Sequence, residues 1–214
     1  MPIVLNGSGT VTGISVGGLP DGIVDGDMLA SGVGGKILQV VQSQKVDQFS
    51  HTGTTHTKIT GTDQSGSGSV FCVKITPSSS SNKVLVSCQL MFAVSIISSG
   101  RLVRTISGSD TVLSVGTDIG DGQTSFHVRS SATDHYYGSM PVNLEFLDTP
   151  NTTSEVQYSI EVKAYTSGAK TYINRTHTTG SPHYSRSTAS TITAKEISAW
   201  VRLSYYIAVV MVFL

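Results

Sequence analysis

Charge is scarce in this sequence. Only 13% of its 214 residues are Asp, Glu, Lys or Arg, and the 14 basic and 14 acidic side chains cancel. Without a basic surplus there is no electrostatic footprint for a nucleic-acid backbone. Without an acidic block there is no disordered solvating tail. Cysteine is nearly absent too: Cys72 and Cys88 are the only two, and neither has a Cys or His at zinc-site spacing. Helical periodicity is missing, since apolar residues nowhere recur at three- and four-residue intervals over three turns. Met1 to Gly9 has neither the basic start nor the apolar run of a secretory signal. The segment Leu203–Leu214 is uncharged and rich in Tyr, Ile, Val, Met and Phe. It falls well short of the roughly 20 residues that a membrane-spanning helix needs, and a lone strand cannot cross a bilayer with its edges unpaired. Nucleic acid and membrane are therefore not expected as partners, and a reducing cytosol is the expected place of synthesis.

Catalytic signatures are missing as well. There is no phosphate loop, no dinucleotide fingerprint and no nucleophile elbow. His51 and His56 lie in the run Ser-His-Thr-Gly-Thr-Thr-His-Thr and match no standard metal pair. They read as polar loop residues; a single His repeated around a trimer axis is the sharper alternative. His127, between Phe126 and Val128, reads as structural. His135 beside Asp134, and His177 with His183, lack any accompanying nucleophile. The carboxylate pairs Asp118/Asp121 and Asp25/Asp27 could in principle serve a glycosidase or a calcium ion. Their Gly-flanked settings fit turn capping better. Asn6, Asn151 and Asn174 open glycosylation sequons that carry meaning only on a secretory route. Enzyme, metal and cofactor are all unexpected.

What the chain has in abundance is Ser, Thr and Gly. Ser and Thr exceed a quarter of all residues, and there are 22 Gly. β-Branched Thr fits a pleated, half-buried face, and low charge leaves little repulsion between subunits, which favours permanent assembly. Residues 1–35 carry glycine so densely that they read as an extended arm, with a short helical turn at Asp27–Ala30. From residue 36 to 198 short strands follow one another: Ile37–Val46, Thr57–Thr62, Val70–Thr76, Val84–Ile97, Leu102–Ser107, Val112–Gly116, Ser125–Arg129, Tyr136–Phe146, Val156–Tyr165, Thr171–Asn174 and Thr188–Ile197. Val156, Tyr158, Ile160, Val162 and Ala164 alternate with Gln157, Ser159, Glu161 and Lys163, the pattern of a strand with one wet face. Many short strands with regular turns predict an all-β fold, an antiparallel β-sandwich or jelly-roll-like domain. Residues 199–214 form the apolar C-terminal tail.

Register bears on the cysteines. Pairing Ser69–Thr76 with Lys83–Val94 as a hairpin sets Ile75 opposite Val84, Val73 opposite Val86 and Phe71 opposite Cys88. That is an apolar face, and Cys72 lies on the other one with Lys74. The two thiols then point apart and no disulfide is expected. The tail, with Leu203, Tyr205, Tyr206, Ile207, Val210 and Phe213, reads as an assembly anchor buried between subunits or in a neighbouring protein; the alternative is a last strand of the chain's own core. Leu19 and Pro20 are the corresponding anchor candidates in the arm. Tyr136, Tyr137, Tyr172 and Tyr184, mingled with Arg175 and Arg186, are candidate glycan or partner contacts, because aromatic rings and Arg suit sugars and interfaces. Half-buried strand tyrosines are the plainer reading.

The run Gly9-Thr-Val-Thr-Gly-Ile-Ser-Val-Gly-Gly-Leu-Pro-Asp-Gly-Ile-Val-Asp-Gly-Asp-Met-Leu-Ala30 resembles a segment recurring in tail-fibre and other virion proteins of marine tailed phages and cyanophages. Lys36-Ile-Leu-Gln-Val-Val-Gln, Val73-Lys-Ile-Thr-Pro-Ser-Ser-Ser-Ser-Asn-Lys-Val-Leu-Val86, Phe146-Leu-Asp-Thr-Pro, Tyr172-Ile-Asn-Arg175 and Ser190-Thr-Ile-Thr-Ala-Lys-Glu-Ile197 continue the likeness over residues 7–198. Each motif is loose; their order and spacing make the resemblance specific. It departs after Ile197, where those proteins usually stop. The resemblance implies a β-rich virion structural protein, commonly a homotrimer, assembled in the host cytoplasm, with no catalytic residues to carry over. It implies partners among other virion proteins, reached through arm and tail, and a host-surface glycan. A tail fibre is the leading expectation, a capsid decoration or cement protein the alternative, and a polysaccharide-degrading tailspike the weakest.

Overall fold

The computed structural model describes residues 37–63, 66–118, 122–129, 138–177 and 187–199. They form fourteen strands: β1 (Ile37–Lys45), β2 (Phe49–His51), β3 (Thr57–Lys58), β4 (Thr60–Asp63), β5 (Gly66–Val70), β6 (Cys72–Ile75), β7 (Lys83–Val94), β8 (Ile97–Ile106), β9 (Ser109–Leu113), β10 (Phe126–Arg129), β11 (Met140–Asp148), β12 (Val156–Ala164), β13 (Thr171–Ile173) and β14 (Ser190–Ile197). No helix occurs among the described residues. The fold is the expected one, an antiparallel β-sandwich. Its larger sheet has eight strands in the order β2-β13-β7-β14-β1-β4-β5, with β11 on the other side of β7; the smaller has six, ordered β10-β8-β12-β3, with β6 beside β12 and β9 beside β8. The Gly-rich arm, its helical turn and the apolar tail beyond Ala199 lie outside the described residues.

Period-two alternation builds the core. From the larger sheet β7 sends Val84, Val86, Cys88, Leu90 and Phe92 inward; from the smaller, β12 contributes Val156, Tyr158, Ile160 and Val162, all fully or almost fully buried. Each such side chain stabilises the fold by about 1.5–3 kcal/mol relative to exposure. Phe92 meets Phe126 edge to face, ring centroids 5.5 Å apart. Phe126 in turn lies over Gly100, its partner across the β8–β10 ladder, and any side chain at residue 100 would collide with that ring.

The hairpin expected between Ser69–Thr76 and Lys83–Val94 does not form. β6 pairs with β12 in the smaller sheet, setting Ile75 against Val156 and Val73 against Tyr158, while β7 belongs to the larger sheet. The loop Pro77–Asn82 thus crosses between layers. The inward residues are the expected ones but their sheet is not, because Phe71, Val73 and Ile75 meet Val84, Val86 and Cys88 across the core rather than along a ladder. Neither cysteine is in a disulfide, Cys72 being half-buried and Cys88 buried, and burial pushes the Cys88 thiol up to about 12.

Other strand bounds also shift. Ser98-Ser99-Gly100, expected as a break, lies inside β8. Of the strand expected at Tyr136–Phe146, residues 136 and 137 lie outside the described residues, and β11 runs from Met140 on to Asp148. Thr57–Thr62 divides at Ile59, since β3 pairs with β12 and β4 with β1 and β5. Phe71 divides β5 from β6 in the same manner. At this double crossing the Ile59 N–H donates to the Ile160 carbonyl at 3.0 Å and the Phe71 N–H to the Ile59 carbonyl at 2.8 Å. Strands that change sheets at such corners are how sandwiches turn.

Two interior carboxylates are satisfied by distant segments, whereas Arg104 Nε and Ser43 Oγ are buried without a hydrogen-bond partner among the described residues. Asp148 at the end of β11 accepts two bonds from Arg104 Nη1 (2.9 and 3.1 Å) and one from Tyr158 Oη at 2.8 Å, tying the sheets together. Burial, then the Asp148 charge and its hydrogen bond, hold the Tyr158 hydroxyl well above its ordinary range. Glu196, on the inner side of β14, accepts from Gln39 Nε2 (2.6 Å), Ser78 N (2.7 Å), Ser78 Oγ (2.8 Å) and Asn82 Nδ2 (2.6 Å). Burial works to raise this carboxyl, but the bonds from Asn82, Gln39 and Ser78 prevail and hold it below the usual range.

A candidate binding face on the larger sheet

The outer side of β11, β7, β14 and β1 is a lattice ruled by register. One row is Asn143–Gln89–Thr191–Gln44, the next Glu145–Ser87–Thr193–Gln42 and the third Leu147–Leu85–Lys195–Val40. The residues exist outside for the same reason that Val86, Cys88 and Ile192 are inside: each is one step along a pleated strand from a buried neighbour. The first two rows hold only amides, hydroxyls and a single carboxylate. Gln42 Nε2 donates to Thr193 Oγ1 at 2.9 Å and Ser87 Oγ to Glu145 Oε2 at 3.1 Å. Between β11, β7 and β14 these rows line a groove of about 320 Å³, walled by Ser87, Gln89, Asn143, Glu145, Thr191 and Thr193. Chemically the groove can exchange neutral hydrogen bonds with a hydroxyl-rich or amide-rich partner.

Farther along the same side lies the pair expected as a contact candidate. Tyr172 is opposite Ala93 of β7 and Ser50 of β2, roughly 13 Å beyond Gln89 along the strand. The Arg175 guanidinium carbon stands 4.9 Å from the centre of the Tyr172 ring, and His177 meets that ring edge-on at 5.3 Å. The structure therefore brings Tyr172 and Arg175 together, but Tyr172 is buried. Its ring supports the guanidinium, and the half-buried Arg175 is the outward group. Burial raises the Tyr172 hydroxyl, with Arg175 opposing. Burial, Lys170 and Arg175 lower His177. Tyr136, Tyr137, Tyr184 and Arg186 lie outside the described residues, as do Leu19, Pro20, Leu203, Tyr205, Tyr206, Ile207, Val210 and Phe213.

The smaller sheet's outer side is differently built. Arg101 Nε meets Glu161 Oε2 at 2.7 Å, Lys58 Nζ meets Asp110 Oδ2 at 2.8 Å and Lys74 Nζ meets Glu155 Oε1 at 3.1 Å. Ser159 and Glu161 are buried there with Val103, while Gln157 and Lys163 are half-buried, so the side of β12 expected to be wet is closed at its middle. Asp110 is held below the usual carboxylate range by its hydrogen bonds to Lys58 and Thr105. His56 is lowered to about 4, first by burial and then by Arg101 and Lys163.

The remaining candidates resolve locally. His51, expected in a loop, ends β2, with its ring stacked on Phe49 at 6.4 Å. His127, expected to be structural, is exposed on β10. Asp118 Oδ1 accepts from the Gly122 N–H at 3.1 Å, the turn-capping role expected of it. Asn174, a sequon residue, is buried with φ of 61°; its Nδ2 donates to the Lys45 and Asp47 carbonyls and its Oδ1 accepts from Ser190. That side chain is fully occupied. His135, His183, Asp134, Asp121, Asp25 and Asp27 lie outside the described residues. No group of three or more His, Cys, Asp or Glu suited to a metal ion occurs among the described residues, and no described helix is long and apolar enough to cross a membrane.

Sequence reasoning missed Ser87, Asn143, Glu145 and Thr193. Ser and Thr are so common here that no single one stands out, and only the strand pairing shows which of them share a row. No family model matches the chain, and no curated protein matches it. Among solved structures it is similar to murine APRIL, whose structure was determined at pH 8.5, with 14% sequence identity, 74% of this chain and 98% of that chain covered, and a TM-score of 0.35.

Proposed function

We propose that this protein is a non-enzymatic structural component of a phage virion, of tail-fibre type, whose larger sheet presents its outer side to a host-surface glycan. The carrying observation is the pair of polar rows around Ser87, Gln89, Asn143 and Thr193, with Glu145 their one charge, which form a hydrogen-bonding groove with a guanidinium farther along the same side. The resemblance of loose motifs in order and spacing over residues 7–198 supports the virion reading. The non-enzymatic reading is supported by the structural engagement of Asp110, Asp148, Glu161 and Glu196 in ion pairs and hydrogen bonds. The exposed aliphatic row on the same side, with Val40 and Leu147, favours a second reading, a decoration protein seated on a capsid shell.

Copy number per particle separates the two: tail or vertex symmetry supports the fibre, shell stoichiometry the decoration protein. Purified protein should compete with phage for adsorption to host cells, and Asn143→Ala with Thr193→Val should abolish that competition. Sugars released from host envelope polysaccharide would overturn the non-enzymatic reading.

A further inference from the structure

The third row of the outer lattice is unlike the other two. Leu147 is 46% exposed and Val40 57%, with Leu38 beside them at 49%. Leu85 lies between, paired with Leu147 on one side and Lys195 on the other, and the methylene stem of Lys195 continues the apolar band. Single exposed aliphatics need no explanation. Aliphatics on three of four neighbouring strands, bridged on the fourth by the Lys195 stem and set on a side otherwise polar, mark something that covers them.

The chain itself supplies a fitting occupant. β14 contributes Lys195 to the row and ends at Ile197. Two residues on, the Ala199 N–H donates to Asn82 Oδ1 at 3.1 Å, which holds the backbone at this end of the sheet. Only Trp200, Val201 and Arg202 separate Ala199 from the segment Leu203–Leu214, which has no charge and is dominated by Tyr, Ile, Val, Met, Phe and Leu. Four strands measure about 14 Å from first to last, and twelve extended residues reach about 40 Å, so length is no obstacle. β-Branched and aromatic side chains are the ones that pack on a pleated surface.

We propose that the aliphatic row Leu147–Leu85–Lys195–Val40 is the docking site of this chain's own segment Leu203–Leu214. The inference stands apart from the glycan reading, which uses the other two rows, and competes with the shell-seated reading, which would occupy this same row. It also gives Arg202 a measurable role, as the tryptic site at the entrance to the docked segment.

Two measurements on the full chain test it. In a Cys72→Ser background, Val40→Cys with Ile207→Cys should form a disulfide under mild oxidation, whereas Gln157→Cys with Ile207→Cys, on the smaller sheet's outer side, should not. A bond within one chain or between two copies supports docking alike and tells whose segment is seated. Absence of the Val40 bond, or equal yield with Gln157, overturns the proposal. In the second, Val40→Asp should speed tryptic cleavage after Arg202 by roughly tenfold, because cleavage follows the population of the released state. Val46→Asp, equally exposed at 57% but off the row, should leave the rate unchanged. Equal rates in wild type and Val40→Asp would overturn the proposal.

Discussion

The outer sides of the two sheets are built on the same rule and end in opposite conditions. On the smaller sheet every second residue of β12 and β8 points outward, and Arg101, Glu161, Lys58 and Asp110 pair there while Ser159 and Val103 on the same side are buried. On the larger sheet the same alternation delivers Ser87, Gln89, Asn143 and Thr193, which leave a groove open. Charged side chains are long and can close over a strand; hydroxyls and short amides cannot. One side is thereby committed to stability and the other remains available for contact.

The largest expected effect removes the support common to both. Asp148→Ala leaves the Arg104 guanidinium without its carboxylate between the sheets, and should cost about 3–5 kcal/mol in urea denaturation. A loss below about 1 kcal/mol would mean that the sheets hold without this tie. Next comes the direct comparison. Glu161→Ala on the smaller sheet strands Arg101 and should cost about 1–3 kcal/mol, while Glu145→Ala on the larger should stay within about 0.5 kcal/mol. Equal losses would erase the distinction between the sides.

His56 sharpens the same comparison through pH. Its folded value near 4 lies below the ordinary 6.5, so the unfolded chain takes up the proton first as pH falls. Stability from this group is complete above about 6.5, declines as pH falls towards about 4 and is flat below. The groups that act on it are Arg101, Lys163 and Glu161. His56→Gln should flatten the urea midpoint between these pH values, and an unchanged slope would assign the dependence to another group. The smallest expected stability effect is on the open side: Thr193→Val should leave the urea midpoint nearly unchanged and lower adsorption competition, and a large stability loss would show that the row is structural.

The alternation of Val156 to Ala164 makes the core side of β12 legible from the residues alone. It cannot show that Ser159 and Glu161 are buried too, because Glu161 pairs with Arg101 and Ser159 lies between Cys72 and Val103, all far away in sequence. Likewise Phe71, Val73 and Ile75 announce an inward side but not a sheet, since period two is identical in both layers. Glu196 continues the inward series Ile192–Ala194, and its satisfaction by Gln39, Ser78 and Asn82 comes from two distant segments. Tyr172 and Arg175 are legible as neighbours three residues apart, whereas the groove is not, because its members have no local signature.

The double crossing at Ile59 and Phe71 bears on how this molecule would yield under load. Two adjacent backbones pass from one layer to the other at the same height, bonded to each other and to Ile160. The layers cannot be peeled apart strand by strand, because separating them stretches both passages at once. A pull on the larger sheet is transmitted to β12 through the main chain and not only through side-chain packing. Rupture should therefore occur in one step at high force, and Ile59→Gly, which loosens the crossing, should split it into two.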